Sequence, residues 1–311
     1  MTAGRVAILH ADDVGMCHGA NAAFLALARA GAIDCGSVMV PCPWFPEIAH
    51  TAAADPSLDL GVHLTLTSEW IGYRWGPVAI RAPSAGLTDA EGAFHHDVPS
   101  LRAAADPAAV EEECAAQIER ALALGLHPTH LDTHMGAALA PEFLAGTLRL
   151  AERFRLPLLL PRRIATYLAV LRLGALDPGV YAGLADHPWV APIDAFAMTP
   201  GHAPGAAEAA YRALLEGLGA GTTFVALHPN MPGDIEAITA GHARARPHWR
   251  IDEAALFASD APARWLAEAG IARAGMRGLR DAMRGGSMPT PPAVVTGGRP
   301  ETIQPAPEKG A

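Results

Sequence analysis

Residues 6–24 read VAILHADDVGMCHGANAAF, an apolar run followed by two adjacent carboxylates and an alanine-rich segment. The apolar run predicts a strand at 5–10 and the alanine-rich segment predicts a helix at 20–30, which is the β-α signature of a parallel sheet. Asp12 and Asp13 stand where the strand gives way to the helix. Neighbouring buried anions need a cation, a shared proton or open water, so this junction is a candidate functional site.

The same alternation of short apolar runs and amphipathic stretches continues along most of the chain. It predicts an α/β fold, either an open doubly wound sheet or a barrel, and the pattern alone does not separate the two. No glycine-rich loop follows a predicted strand, which counts against nucleotide binding. The further predicted strands are 36–40, 58–66, 129–132, 156–160, 193–198 and 223–227, and the further predicted helices are 108–124, 141–154, 206–218 and 261–269.

Composition restricts the class of protein. The 311 residues carry a formal net charge of −9, which argues against a nucleic-acid partner because phosphate binding needs clustered lysine and arginine. The four cysteines form no CxxC pair and are too few for a disulfide scaffold. No apolar run is long enough to span a membrane, and no basic leader segment precedes the first strand, so a cytoplasmic location is expected.

Two segments depart from the α/β pattern. The Pro- and Gly-rich stretch at 285–311 has little to bury and predicts a disordered tail, which leaves one domain at 1–284. The segment Ser68–Ser100 is too long for an ordinary turn and contains Trp70, Tyr73 and Trp75. Aromatic faces suit sugar rings, so Trp75 is a candidate substrate-binding residue, with ordinary packing as the alternative.

Four histidines follow or end apolar runs, as the two aspartates do: His63, His130, His134 and His228. The carboxyl ends of parallel strands share one edge of a sheet, so residues far apart in sequence can meet there. Two histidines and one carboxylate form a ligand set with open positions, suited to zinc or a similar divalent ion. We therefore predict a metal site at this edge.

The motifs HADDVG, GVHLTLT, THLDTH and LHPN occur here in the order and at spacings similar to those of the YdjC-like carbohydrate deacetylases. The resemblance runs from the first strand to about residue 271. It implies a distorted (β/α) barrel of the polysaccharide-deacetylase-like type that hydrolyses N-acetyl groups on sugars with one divalent metal ion, magnesium or zinc. Matched motif by motif, it implies Asp13, His63 and His134 as metal ligands, Asp12 as base and His228 as acid.

Neighbouring residues have supporting roles in this interpretation. His130 is expected to hold Asp132 or a backbone carbonyl rather than the metal. Arg162 follows a predicted strand and could anchor Asp12 or a substrate oxygen, although an exposed arginine is the commoner case. Val14 and the Met135-Gly136 pair differ from the residues that the family often has there, and they leave the substrate open.

Several functions remain open at this level. The expected partner is a small N-acetylated sugar or a glycolipid, and a homo-oligomer is left open. One alternative is another metal-dependent hydrolase, such as a phosphoesterase or a non-sugar amidase. A phosphoesterase would be distinguished by a second metal ion. The other alternative is a sugar-binding protein that binds its ligand without turnover.

Overall fold

The computed structural model describes residues 4–79, 82–170, 177–242 and 246–286. Its strands are β1 Arg5–Val14, β2 Cys35–Val38, β3 Leu60–Leu64, β4 Leu131–Thr133, β5 Ala195–Met198, β6 Gly221–Leu227 and β7 Ile271–Arg273. Its α-helices are α1 His18–Arg29, α2 Phe45–Ala54, α3 Val98–Ala104, α4 Pro107–Ala123, α5 Pro141–Phe154, α6 Ile164–Leu168, α7 Ala207–Glu216, α8 Asp234–Thr239, α9 Pro247–Phe257, α10 Ala261–Glu268 and α11 Met276–Arg284.

All strand pairs are parallel, and the sheet curls into a distorted barrel. The strand order is β4-β3-β2-β1-β6-β5, and β7 pairs with the beginning of β1. The two outer strands are joined by a short backbone bridge rather than by a full strand. Leu158 pairs with Leu131 of β4 on one side and with Val190 on the other, and the chain then runs from Val190 into β5. This ring of hydrogen bonds confirms the expected (β/α) barrel.

The sequence explains why β1 lies at the centre. Its first half, RVAILHA, is almost continuously apolar and buried, as expected for a parallel strand covered on both faces. Helices pack on the outside through their apolar faces. For example, Asp106 precedes α4 and caps it, because its carboxylate accepts a hydrogen bond from the Ala108 amide, and the helix buries Val110, Cys114 and Ile118.

The predicted elements agree with the structure in most places. The helix predicted at 141–154 has the bounds of α5, while the strand predicted at 156–160 is present only as the bridge at Leu158. The short strand β7 and the helices α2, α3, α6, α8, α9 and α11 were not predicted, because their apolar periodicity is brief. The segment Ser68–Ser100 is irregular over most of its described length, but α3 begins within it.

The boundary of the domain at 284 stays a prediction. Residues 287–311 of the predicted tail lie outside the described residues. Within the described part of the chain, no helix has both the length and the apolar character that a membrane crossing requires.

Candidate metal-dependent active site

A break in β1 brings the two adjacent aspartates to one side. Neighbouring side chains of a regular strand point to opposite faces. Here the register of β1 against β2 shifts between Ala11 and Val14, and Asp13 adopts a left-handed backbone with φ of 60°. Both Asp12 and Asp13 consequently line the same pocket. A left-handed aspartate costs conformational energy, and such strain is concentrated at functional sites.

Two histidines from different strand ends converge on Asp13. His134 Nδ1 lies 3.1 Å from Asp13 Oδ1, and His63 Nε2 lies 3.5 Å from the same oxygen. All three side chains are almost completely buried. His63 is in β3 and His134 directly follows β4, so adjacent parallel strands deliver both imidazoles to the edge where β1 ends.

In each of these histidines, the outer nitrogen, which is the ring nitrogen that does not face Asp13, faces an acidic side chain. His134 Nε2 lies 3.0 Å from Glu69 Oε2. His63 Nδ1 lies 3.1 Å from Asp132 Oδ1 and 3.1 Å from Ser37 Oγ, whose hydroxyl donates to Asp132 Oδ2 at 3.0 Å. Metal-binding histidines are commonly oriented in this way, because a carboxylate on the outer nitrogen fixes the ring and raises its basicity.

The third charged partner of Asp13 is an arginine from the other end of the chain. Arg250 of α9 donates from Nη1 to Asp13 Oδ2 at 2.8 Å, leaving Oδ1 to the histidines. Burial by itself raises the pKa of Asp13, but Arg250, His134 and His63 outweigh it and hold that pKa well below its ordinary value. Asp13 is therefore a buried carboxylate that stays ionised.

Asp12 contacts the buried His10, which in turn contacts a second buried histidine, His130. His10 Nδ1 lies 2.6 Å from Asp12 Oδ1, and His10 Nε2 lies 2.9 Å from His130 Nε2. Burial, with the nearby His10 adding to it, lowers the pKa of His130 to about 3, so His130 is neutral. The hydrogen-bond partners of the His130 ring are His10 and Thr129, rather than Asp132 or a backbone carbonyl as expected, and the ring lies close to Gly61 of β3.

His228 stands on the other side of Asp12, at the end of β6. Its Nε2 lies 3.8 Å from Asp12 Oδ2, and its Nδ1 lies 2.8 Å from the hydroxyl of Thr199. Burial and then the charge of Arg250 lower the pKa of His228 to about 4. The imidazole is thus neutral at pH 7 and can receive a proton on the side that faces Asp12.

The side chains of Asp12, Asp13, His63, His134 and His228 line a pocket of about 850 Å³. Its walls are largely apolar, formed by Trp70, Ile71, Leu159, Tyr167, Phe196, Met198 and Trp249 among others. A pocket with mostly apolar walls and a few carboxylate and imidazole groups at its base is typical of sites that bind small molecules.

The structure corrects the predicted surroundings of the site in two places. Arg162 does not line this pocket; its side chain is 42% exposed, and its Nη1 pairs with Asp194 at 3.6 Å. Trp75 also does not line it. Its indole packs behind His134, with ring centroids 6.2 Å apart, and donates to the Thr67 carbonyl. Trp70, the other tryptophan of that loop, faces the pocket instead.

Among the charged residues that were not predicted are Glu69 and Arg250, which line the pocket, and Glu253, which binds the backbone amide of His228 from outside it. Arg250 and Glu253 are one helical turn apart in PHWRIDEAALF, a spacing that puts both on one face of α9. Charges on a helix usually indicate a solvated face, so this spacing did not stand out. Glu69 follows the GVHLTLT motif by two residues, and its position next to that motif is the one available signal.

The donor atoms of Asp13, His63 and His134 fit a divalent ion. Atoms that each lie about 2.1 Å from one ion are about 3.0 to 3.5 Å from each other at tetrahedral or octahedral angles. The separations of 3.1 and 3.5 Å from Asp13 Oδ1 agree with this, and these three residues form one of the groups that could hold a metal. Two further groups, His10-His130-Asp132 and Asp12-His63-Asp132, share members with it or lie behind it.

Comparison with known proteins agrees with the motifs. A family model described as YdjC-like protein matches residues 6–268. The chain is 42% identical over 160 residues to a carbohydrate deacetylase of Thermus thermophilus and 35% identical over 154 residues to one of Brevibacillus brevis. The matches cover 51% and 50% of this chain and 55% and 58% of the relatives, so the chain spans little more than half the length of each.

The fold also has a solved counterpart. A crystal structure from Enterococcus faecalis V583, described as that of a cellobiose-phosphate cleavage protein, superposes with a TM-score of 0.70. The superposition covers 89% of this chain and 99% of the other, with 22% sequence identity. At that identity the likeness establishes the shared barrel.

Proposed function

The chain belongs to the YdjC-like protein family, and on this premise we propose that it is a metal-dependent hydrolase that removes an acetyl group from an N-acetylated carbohydrate or glycoconjugate. One observation carries the proposal. Asp13 gathers two imidazoles whose outer nitrogens face acidic side chains, while the neighbouring Asp12 remains available on the pocket side. One aspartate that binds the metal beside another that accepts a proton suits hydrolysis by an activated water.

Asp13, His63 and His134 would hold one divalent ion, zinc or magnesium, with the two imidazoles favouring zinc. When bound, such an ion lowers the pKa of a nearby water molecule and stabilises negative charge on a carbonyl oxygen. The remaining chemistry belongs to side chains of the protein.

Asp12 acts as the base. Its Oδ1 is occupied by His10 Nδ1, and its Oδ2 is left for the water that attacks the acetamide carbonyl. His228 Nε2 lies 3.8 Å from that oxygen, so the proton that Asp12 accepts can pass to His228 and then to the departing amine nitrogen. An amine leaves poorly unless it is protonated, and this route supplies the proton.

The pocket favours a substrate with an apolar part. A volume of about 850 Å³ exceeds what a single acetylated sugar needs, and the apolar walls include Trp70 and Trp249. These faces can stack on a sugar ring or pack against a lipid-like aglycone. A cytoplasmic location and assembly into a homo-oligomer stay predictions.

The test compares the two aspartates. We expect Asp13→Asn to lose bound zinc, and Asp12→Asn to keep it while kcat falls by about 10² to 10⁴. The measurements are metal content after gel filtration and acetate release from chito-oligosaccharides and N-acetylated glycolipids. Metal loss in Asp12→Asn with retention in Asp13→Asn would exchange the two roles. Normal acetate release by Asp12→Asn would exclude it as the base.

A second catalytic metal, as in a phosphoesterase, finds less support. In the group formed by His10, His130 and Asp132, both ring nitrogens of each histidine already have a hydrogen-bond partner. Neither histidine lines the pocket. The proposal therefore rests on a single metal ion.

A further inference from the structure

A buried glutamate lies behind the histidine that faces Asp12. Glu253 of α9 is completely buried, and it does not line the pocket. Its two oxygens accept three hydrogen bonds: Oε1 from the Tyr211 hydroxyl at 2.5 Å and from the Thr199 hydroxyl at 2.8 Å, and Oε2 from the backbone amide of His228. A buried carboxylate is costly unless fully paired, so this arrangement calls for an explanation.

The hydroxyl of Thr199 links this glutamate to the imidazole. A threonine hydroxyl has one proton, and here it is donated to Glu253 Oε1. The same oxygen lies 2.8 Å from His228 Nδ1, so it must accept the hydrogen bond from a protonated Nδ1. The neutral ring then carries its proton on Nδ1 and presents an unprotonated Nε2 to Asp12 and the pocket.

We infer that Glu253 is a positioning residue for His228, acting through the hydroxyl of Thr199 to fix the tautomer and orientation of the ring. The inference rests on the proposed function, in which His228 Nε2 must receive a proton before it can deliver one. The wrong tautomer would turn an N–H toward Asp12 Oδ2 and block that step.

The backbone adds a second constraint. Thr199 directly follows β5 and His228 directly follows β6, and these two strands are neighbours in the sheet. Glu253 binds both ends, one through the Thr199 side chain and the other through the His228 amide. A single carboxylate on α9 thus sets both the position of the backbone at His228 and the direction of its ring.

The charges around this unit are consistent with an ionised Glu253 above neutral pH. Burial raises the pKa of Glu253 to about 7, while Tyr211, Thr199, the His228 amide and Arg250 lower it in part. The effect of Glu253 and Thr199 on the His228 ring is therefore best measured at pH 8, where the carboxylate form of Glu253 predominates.

The experiment reads the tautomer of His228 directly, by ¹⁵N–¹H NMR of histidine-labelled, zinc-loaded protein at pH 8. We expect a proton on Nδ1 in the wild type and loss of that preference in Thr199→Val, which removes the hydroxyl but keeps the shape. Tyr211→Phe removes a different donor from the same carboxylate oxygen and should keep the Nδ1 proton. Wild-type protein with its proton on Nε2, or an unchanged tautomer in Thr199→Val, overturns the inference.

Kinetics provide the second readout. We expect Thr199→Val to lower kcat roughly 10- to 100-fold with little change in KM or zinc content, and Thr199→Ser to restore most of the activity. Thr147→Val, at a buried threonine that bonds only to backbone carbonyls of Ala138 and Phe143, is the control for a hydroxyl lost elsewhere. Unchanged kcat in Thr199→Val also overturns the inference.

Failure of the proposed function looks different. If the wild type releases no acetate from any substrate, the deacetylase proposal fails, while the NMR measurement still decides whether the Thr199 hydroxyl, which Glu253 orients, fixes the tautomer of His228.

Discussion

Replacing Arg250 by methionine tests whether the arginine and the metal ion both compensate the negative charge of Asp13. The arginine donates to Oδ2 of Asp13 at 2.8 Å, while His63 and His134 face Oδ1. Methionine keeps a similar length of side chain but removes the positive charge. Without metal, Asp13 would remain a buried carboxylate with only the histidines to compensate it.

The magnitude follows from the burial of the pair. Removing one partner of a buried ion pair costs about 3 to 5 kcal/mol. The Arg250 side chain is 16% exposed and Asp13 is 2% exposed, so we take the lower end, about 3 kcal/mol, for the metal-free protein. A bound divalent cation supplies positive charge to the same carboxylate, and we expect the loss to fall below about 1 kcal/mol in saturating zinc.

Urea unfolding of the wild type and of Arg250→Met, each with a chelator and with excess zinc, measures the loss of unfolding free energy without and with the metal. Arg273→Met is the matched control, because Arg273 pairs with Asp34 at 3.0 Å outside the pocket. Its loss should be the same in both conditions. An equal loss for Arg250→Met with and without zinc would refute the reasoning, since the arginine and the metal would then not share Asp13.

Three further predictions concern the surroundings of the site. Glu69→Gln should weaken zinc affinity about 10- to 100-fold, because it removes the charge that faces His134 Nε2, and competition with a zinc-binding dye measures it. Trp70→Ala should raise KM in acetate-release assays whereas Arg162→Ala should not; equal effects would place the substrate outside the pocket. The pKa of Glu253 is raised to about 7, so ionising it should destabilise the folded protein as pH rises from about 4.5 to 7, because the same carboxyl ionises more easily in the unfolded chain. Relative to Glu253→Gln, the unfolding free energy of the wild type should fall by at most about 3 kcal/mol over this range. A difference in unfolding free energy that does not change with pH would contradict the raised pKa.

The sequence predicted the acidic and imidazole groups that meet at the strand ends. Asp12, Asp13, His63, His134 and His228 each stand at or just after an apolar run, and parallel strands bring such positions to one edge. The barrel itself required the family resemblance, because alternating periodicity also fits an open sheet.

Other parts of the site could not be predicted, for reasons that differ from residue to residue. Arg250 and Glu253 reach the site from a helix, and nothing in a helical pattern indicates which charged face is buried. Arg162 follows a predicted strand, but that strand is reduced to one bridge and the side chain turns outward. Trp75 lies behind the His134 ring because its indole N–H is satisfied by the Thr67 carbonyl.

The central position of β1 has a consequence for the order of folding. Residues 5–11 pair with 221–227 of β6, so the strand that carries both aspartates must wait for a partner encoded far along the chain. Contacts of such high sequence separation form slowly, because a long loop must close before they contribute. A nascent chain that ends before β6 leaves one edge of this buried central strand unpaired, and we expect that fragment to aggregate.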